Sequence, residues 1–258
     1  MADRISRRAL FGLGLGRLRE QLPDLPASRP ERRPVSERIL DEPDFHAISL
    51  QPVIAVAERF APAPGERVLV TRGGDLEDCF PDHDELVAVA EPAEVSELPF
   101  EDGEFDRVLV PYAPVYAEWP HQALGELFRV TRPGGTVVTV VWTRERAVGR
   151  VLAAAKGWEP GVDPRLEWGD EAMLRIALAA HADEIDIAHE PLAQAWSSPE
   201  AAVTALERAL PPVGAALAGF PGADANGLRA DAARLVVEEG GRDVLTGAYL
   251  VARARKRA

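Results

Sequence analysis

The chain predicts an α/β fold, a doubly wound and mostly parallel sheet with helical insertions in its C-terminal third. Three observations carry that expectation. Short apolar runs bounded by proline or glycine recur through the first half of the chain, the pattern of strands buried on both faces. Segments with apolar residues at helical spacing separate several of them, and that alternation gives parallel strands with right-handed crossovers. Beyond Trp142 the pattern turns mainly helical.

Taken in order, residues 1–34 are read apart from the domain expected over residues 35–258. "RISRRALFGLGLGRLRE" carries Ser6, Arg7 and Arg8 ahead of an apolar run, like a twin-arginine export signal, but Arg17 and Arg19 cut that run short. A basic amphipathic segment in a cytoplasmic protein is the expectation, with export the alternative. "GLGLG" follows no strand, so it is no dinucleotide fingerprint. "QLPDLPASRPERRP" is dense in proline and charge and reads as a linker. A helix is expected over Ser49–Pro62, closed by Pro62 and Pro64, and then strands over Arg67–Thr71, Glu85–Pro92 and Phe105–Tyr112, the last entered through the Asp102-Gly103 turn. His121 to Gly135 reads as a helix stopped by Pro133-Gly134-Gly135, and Thr136–Trp142 as the clearest strand. Further helices are expected at Gly169–Ala182, Ser198–Leu210 and Ala225–Gly240. Ser198 caps the second of these ahead of Pro199 and Glu200. Two more strands are expected at Glu184–Glu190 and Val244–Arg255.

Composition limits the function. At 258 residues and 47% hydrophobic the chain can build a full core. Its formal charge of -13 repels phosphate backbones, which argues against nucleic acid as a partner. Cys79 is the only cysteine and the histidines lack ligand spacing, so no metal site is expected. Nothing in the sequence approaches the ~20 apolar residues of a membrane span.

"ELPFEDGEFDRVLV" followed by "ALGELFRVTRPGGTVVTVVWT" resembles the class I S-adenosylmethionine-dependent methyltransferases of small-molecule type. The matching positions are Leu98, Pro99, Phe100, Asp102, Phe105, Asp106, Glu126, Arg129, Val130, Arg132, Pro133, Gly134 and Gly135. The resemblance runs from about Ser49 to Arg255. "WGDE", "SPE" and a closing "YL-x-x-A-R" in the last third are similar to the family's actinobacterial-type members. It implies the cofactor S-adenosylmethionine, a glycine-rich loop after the first strand, an acid ending the second strand, and a seven-stranded sheet whose final strand is antiparallel. On this pattern the cofactor-binding positions are Gly73, Gly74 and Glu91, and the substrate side holds Tyr112, Tyr116 and His121, with Trp119 beside them.

The loop departs from the family's "D-x-G-x-G-x-G". Val70 stands where the aspartate belongs, and Arg72 and Leu76 stand where the first and last glycines belong. An arginine there fills the methionine space and opposes a sulfonium. Leu98 follows Glu91 too soon for the helix and strand that wall the adenine, so one strand-helix unit is missing. The expectation is therefore a methyltransferase-fold protein with an eroded cofactor site, acting as a binding module for a small-molecule acceptor or a protein partner. The alternative is an active small-molecule methyltransferase with a rearranged pocket. A missing general base does not decide between them, because in-line displacement relies on positioning.

Overall fold

The computed structural model describes residues 46–71, 79–80, 83, 85–89, 95–112, 117, 119–155, 168–219, 222–242 and 244–258. The chain divides into two units, Met1–Arg33 and Pro34–Ala258, and all described residues belong to the second. Helix α1 (His46–Arg59) leads to β1 (Val68–Thr71), β2 (Leu86–Val89) and β3 (Phe105–Pro111). Then come α2 (Pro120–Val130), β4 (Thr131–Trp142), α3 (Arg146–Ala155) and α4 (Glu171–Ala179). Strand β5 (Ala182–Ala195), helices α5 (Pro199–Ala209), α6 (Pro211–Gly219) and α7 (Gly222–Gly240), and β6 (Val244–Lys256) complete the order.

One six-stranded sheet runs β2-β1-β3-β4-β6-β5. The first four strands are mutually parallel, and β6 is antiparallel to both β4 and β5. This is the doubly wound class I methyltransferase arrangement with an antiparallel final strand, and α5, α6 and α7 form a helical insertion between β5 and β6. Apolar side chains alternate between the faces of the central strands and build two cores. Val68, Val70, Leu109, Val138 and Val140 pack under α1, α3 and α5–α7. Leu69, Val108, Val110, Val137 and Val141 pack under α2 and α4.

Local chemistry fixes the ends of these elements. Ser198 accepts a hydrogen bond from the Ala201 amide at the start of α5, as its sequence predicts. Asp170 caps α4 by accepting from the amides of Ala172 and Met173. One expectation is corrected: α2 stops at Val130 and does not run on to Pro133, because residues 131–135 already belong to β4. Pro133 disfavours a helical Arg132, and Thr131 is extended at φ -77° and ψ 136°. Lys256 Nζ donates to the Thr131 carbonyl at 2.7 Å, closing the helix end from the last strand. Among the described residues no helix is long and apolar enough to cross a membrane.

Candidate functional site

The residues that carry the family resemblance gather at the amino ends of the strands. Glu126 and Arg129 lie one turn apart near the end of α2 and form a fork, with Arg129 Nη2 and Nε donating to the two carboxylate oxygens at 2.6 and 2.8 Å. The pair grips the loop that enters β3. Glu126 Oε1 accepts from the Leu98 amide at 2.8 Å, while Arg129 donates to the Leu98 carbonyl at 3.2 Å and to Asp102 at 2.6 Å. Gly103 turns with φ +69° and gives its amide to the Arg129 carbonyl at 2.9 Å; a side chain there would be strained. One strand away, Asp106 accepts from the Arg67 amide at 2.7 Å and pairs with Arg132.

The electrostatics follow that geometry. Glu126 is held below the usual carboxylate range, first by its hydrogen bond from Arg129, with burial opposing and the Leu98 amide adding to it. Asp106 is likewise lowered, chiefly by the Arg67 amide, with burial opposing and Arg132 adding to it. The contacts of Glu126, Arg129, Asp106 and Arg132 tie α2 and β4 to the loop before β3, to β3 and to the residue just before β1, which makes them scaffold. Ligands in open α/β sheets bind at the other end, outside the carboxyl ends of the strands.

At that carboxyl end, Tyr112 follows β3 with φ +63°, and its amide donates to the Val140 carbonyl at 3.1 Å. A positive φ is uncommon for a bulky residue. Tyr112 is only 1% exposed and stacks on Trp142 with centroids 5.6 Å apart, and Trp142 meets Tyr249 edge-on at 5.8 Å. Burial pushes the Tyr249 hydroxyl up to about 12; Glu190 adds to the shift and Arg59 opposes it. Glu190 is itself paired with Arg59, tying α1 to β5. Sequence reasoning did not single out Trp142 and Tyr249 as a cluster. The signal available was their place at the C-terminal end of one strand and inside its antiparallel neighbour.

The two described substrate-side candidates are not brought together. Tyr112 belongs to the core under α1 and α3. His121 is exposed in the first turn of α2 and meets the buried Trp168 edge-on at 5.2 Å, on the opposite side of the sheet. Trp119, the N-cap residue of α2, is 63% exposed. Gly73, Gly74, Glu91 and Tyr116, together with Arg72, lie outside the described residues.

Among the buried side-chain polar atoms without a hydrogen-bond partner are Ser96 Oγ and, at the end of β4, Trp142 Nε1. The Ser96 hydroxyl is buried with no hydrogen-bond partner, while the Ser96 carbonyl accepts from Gln122 Nε2 at 3.2 Å in the first turns of α2. Among the described residues β2 pairs only with β1, and Ala88 in it is exposed. Positions 90–104, 15 residues, separate β2 from β3, and the only helical residues in the described part are the 3₁₀ pair 95–96. No cluster of three or more His, Cys, Asp or Glu side chains is placed to hold a metal among the described residues.

Residues 53–139 match the Methyltransferase domain family. An uncharacterized protein of Mycobacterium tuberculosis is 40% identical over 84 residues, 31% of this chain and 31% of that protein. A second uncharacterized protein of the same organism is 32% identical over 97 residues, 36% of this chain and 35% of that protein. The matched segment thus spans about a third of the length of these curated relatives. Among solved structures, a candidate methyltransferase of Bacillus halodurans superposes with a TM-score of 0.50 at 14% identity, covering 81% of this chain and 100% of that one. At that identity the likeness is one of fold.

Proposed function

We infer that this class I methyltransferase-fold protein has an eroded S-adenosylmethionine site and works as a non-catalytic or weakly cofactor-binding module. The observation that carries the reading is the short connection between β2 and β3. With positions 90–104 between them, β2 forms the margin of the sheet among the described residues, where the family would add a further strand and helix. The departures at Val70, Arg72 and Leu76 add to it. Each buried hydrogen bond that a nucleoside fails to make removes about 1 kcal/mol, and a few such losses weaken binding by orders of magnitude.

A second reading, an active small-molecule methyltransferase with a rearranged pocket, draws support from Ser96. Its buried and unpartnered hydroxyl is what a site waiting for a polar ligand leaves behind. Titration calorimetry with S-adenosylhomocysteine separates the two. The first reading expects no heat of binding until roughly millimolar ligand. Micromolar affinity would overturn it.

A further inference from the structure

Helix α4 is fastened to α2 on either side of its length by an imidazole set against an aromatic ring. Just before α4 begins, Trp168 meets His121 of α2 edge-on at 5.2 Å. Just after it ends, His181 in the turn to β5 stacks on Phe128 of α2, with ring centroids 5.1 Å apart and planes 14° from parallel. His121, Gly125 and Phe128 follow one another at helical spacing, so they share one face of α2. Gly125 leaves that face bare: a Cβ there would lie 3.8 Å from His181 Cε1, and a longer side chain would push the ring away. His181 is a backbone junction as well. Its amide donates to the Leu178 carbonyl at 2.9 Å, and its carbonyl accepts from the Arg257 amide at 3.2 Å.

We propose that His181 is a pH-operated clasp: as a neutral imidazole it locks the end of α4 onto α2, and in mildly acidic conditions its protonation lets α4 come away. The surroundings of the ring favour the neutral form in the docked state. Burial holds the His181 pKa below its ordinary 6.5, and Arg257, His121 and Lys256 add to the shift. Acids on the surrounding elements are engaged elsewhere. Asp183 of β5 accepts from Arg257 at 2.9 Å, Glu126 of α2 is bound by Arg129, and Glu171 at the start of α4 accepts from Arg175. Asp102, which accepts from Arg129, acts on Lys256. The two cations are held where they are by backbone carbonyls, Lys256 by that of Thr131 and Arg257 by those of Ala179 and Ala180. A released His181 regains its ordinary value, so its contribution to docking is complete above 6.5 and is lost as pH falls through the folded pKa. At about pH 5.5 a released imidazole is protonated over neutral by roughly ten to one, so α4 opens up to about tenfold more often than at neutral pH.

Hydrogen exchange of the full chain tests this. Protection factors, which already remove the intrinsic pH dependence of exchange, are compared at about pH 5.5 and about pH 7.5 for amides 174–178 of α4 and 202–206 of α5. The α4 amides should lose protection several-fold, up to about tenfold, at the lower pH while those of α5 hold. His181→Phe keeps a ring on Phe128 without a titratable proton, and it should abolish the difference. An imidazole NMR titration of the parent chain gives a readout that does not depend on how a variant folds. His181 should titrate below 6.5, and the α4 amide shifts should follow with the same midpoint. Equal α4 protection at both pH values, a loss shared by α5, a pH response that survives His181→Phe, or a His181 midpoint at or above 6.5 would each overturn the proposal.

Discussion

The two ends of the sheet are held in different ways. At the amino end, charged side chains bridge strands and helix: Glu126 and Arg129 grip Leu98 and Asp102, Asp106 joins Arg67 and Arg132, and Arg107 pairs with Glu66 at 2.9 Å. At the carboxyl end, aromatic rings and close backbone contacts take over. Tyr112 stacks on Trp142, Trp142 meets Tyr249 of β6 edge-on, and Thr143 Oγ1 donates to the Ala248 carbonyl at 3.1 Å. The difference teaches that the most recognisable sequence signature in this chain lies away from the ligand end. "LPFEDGEFD" and "ELFRVTRPGG" report that the fold closes, and they would persist in a protein that no longer binds the family's cofactor.

The largest expected effect tests how closed the carboxyl end is. A Cβ on Gly149 in α3 would lie 2.1 Å from the Thr143 carbonyl oxygen and 2.6 Å from the Arg144 carbonyl carbon. Both are backbone atoms, so relief requires the helix to move. Gly149→Ala is expected to destabilise the protein by about 3 kcal/mol or more, as overpacking against backbone does. Chemical denaturation measures it. A loss below about 1 kcal/mol would mean that α3 can lift from β4, leaving room for a ligand that the rest position denies.

The next effect uses pH to separate the ends. Glu126 and Asp106 have lowered folded-state pKa values, so their stabilisation is present above the ordinary values of 4.5 and 3.8 and is lost as pH falls through the folded ones. Tyr249 is the opposite case. Its folded pKa is raised from 10.0 to about 12, so its contribution is complete below 10.0 and is lost as pH rises toward 12. Glu126→Gln should cost about 1–2 kcal/mol near neutral pH and flatten the acid limb of stability against pH. Tyr249→Phe should flatten only the alkaline limb. Denaturation midpoints across pH check both, and a Tyr249→Phe effect on the acid limb would mean that the two ends are not independent.

How much of this was legible follows the same division. The strands announce themselves because both faces are buried, and "VLV" at residues 68–70 or "TVVTVVW" at 136–142 has no other comfortable place. The Ser198 cap was readable because its chemistry is local. Helices α3 and α6 were not anticipated. "RAVGRVLAAA" carries Gly149 and "PPVGAALAG" opens on two prolines and holds Gly214, residues that weaken a helix on propensity alone. Gly149 is there for close approach to Thr143, a tertiary reason that no local pattern displays. The candidate site was the least legible part. Tyr112 and His121 are close in sequence, yet a strand end followed by a helix start sends them to opposite faces.

The smallest effect bears most directly on the ligand question. Ser96 follows the buried Val95 in the 3₁₀ turn before β3, and its hydroxyl is buried without a partner. Removing a buried polar group that makes no hydrogen bond relieves its desolvation, so Ser96→Ala should change stability by less than about 0.5 kcal/mol or raise it slightly. A scaffold hydroxyl with a hidden partner would instead cost about 1 kcal/mol on removal. The same variant carries a second readout. In an eroded site, Ser96→Ala leaves the response to S-adenosylhomocysteine as flat as in the parent chain, whereas in a working pocket that uses this hydroxyl it weakens affinity several-fold at unchanged stability. Only the second pattern would show that the carboxyl end retains a chemistry of its own beside the scaffold at the amino end.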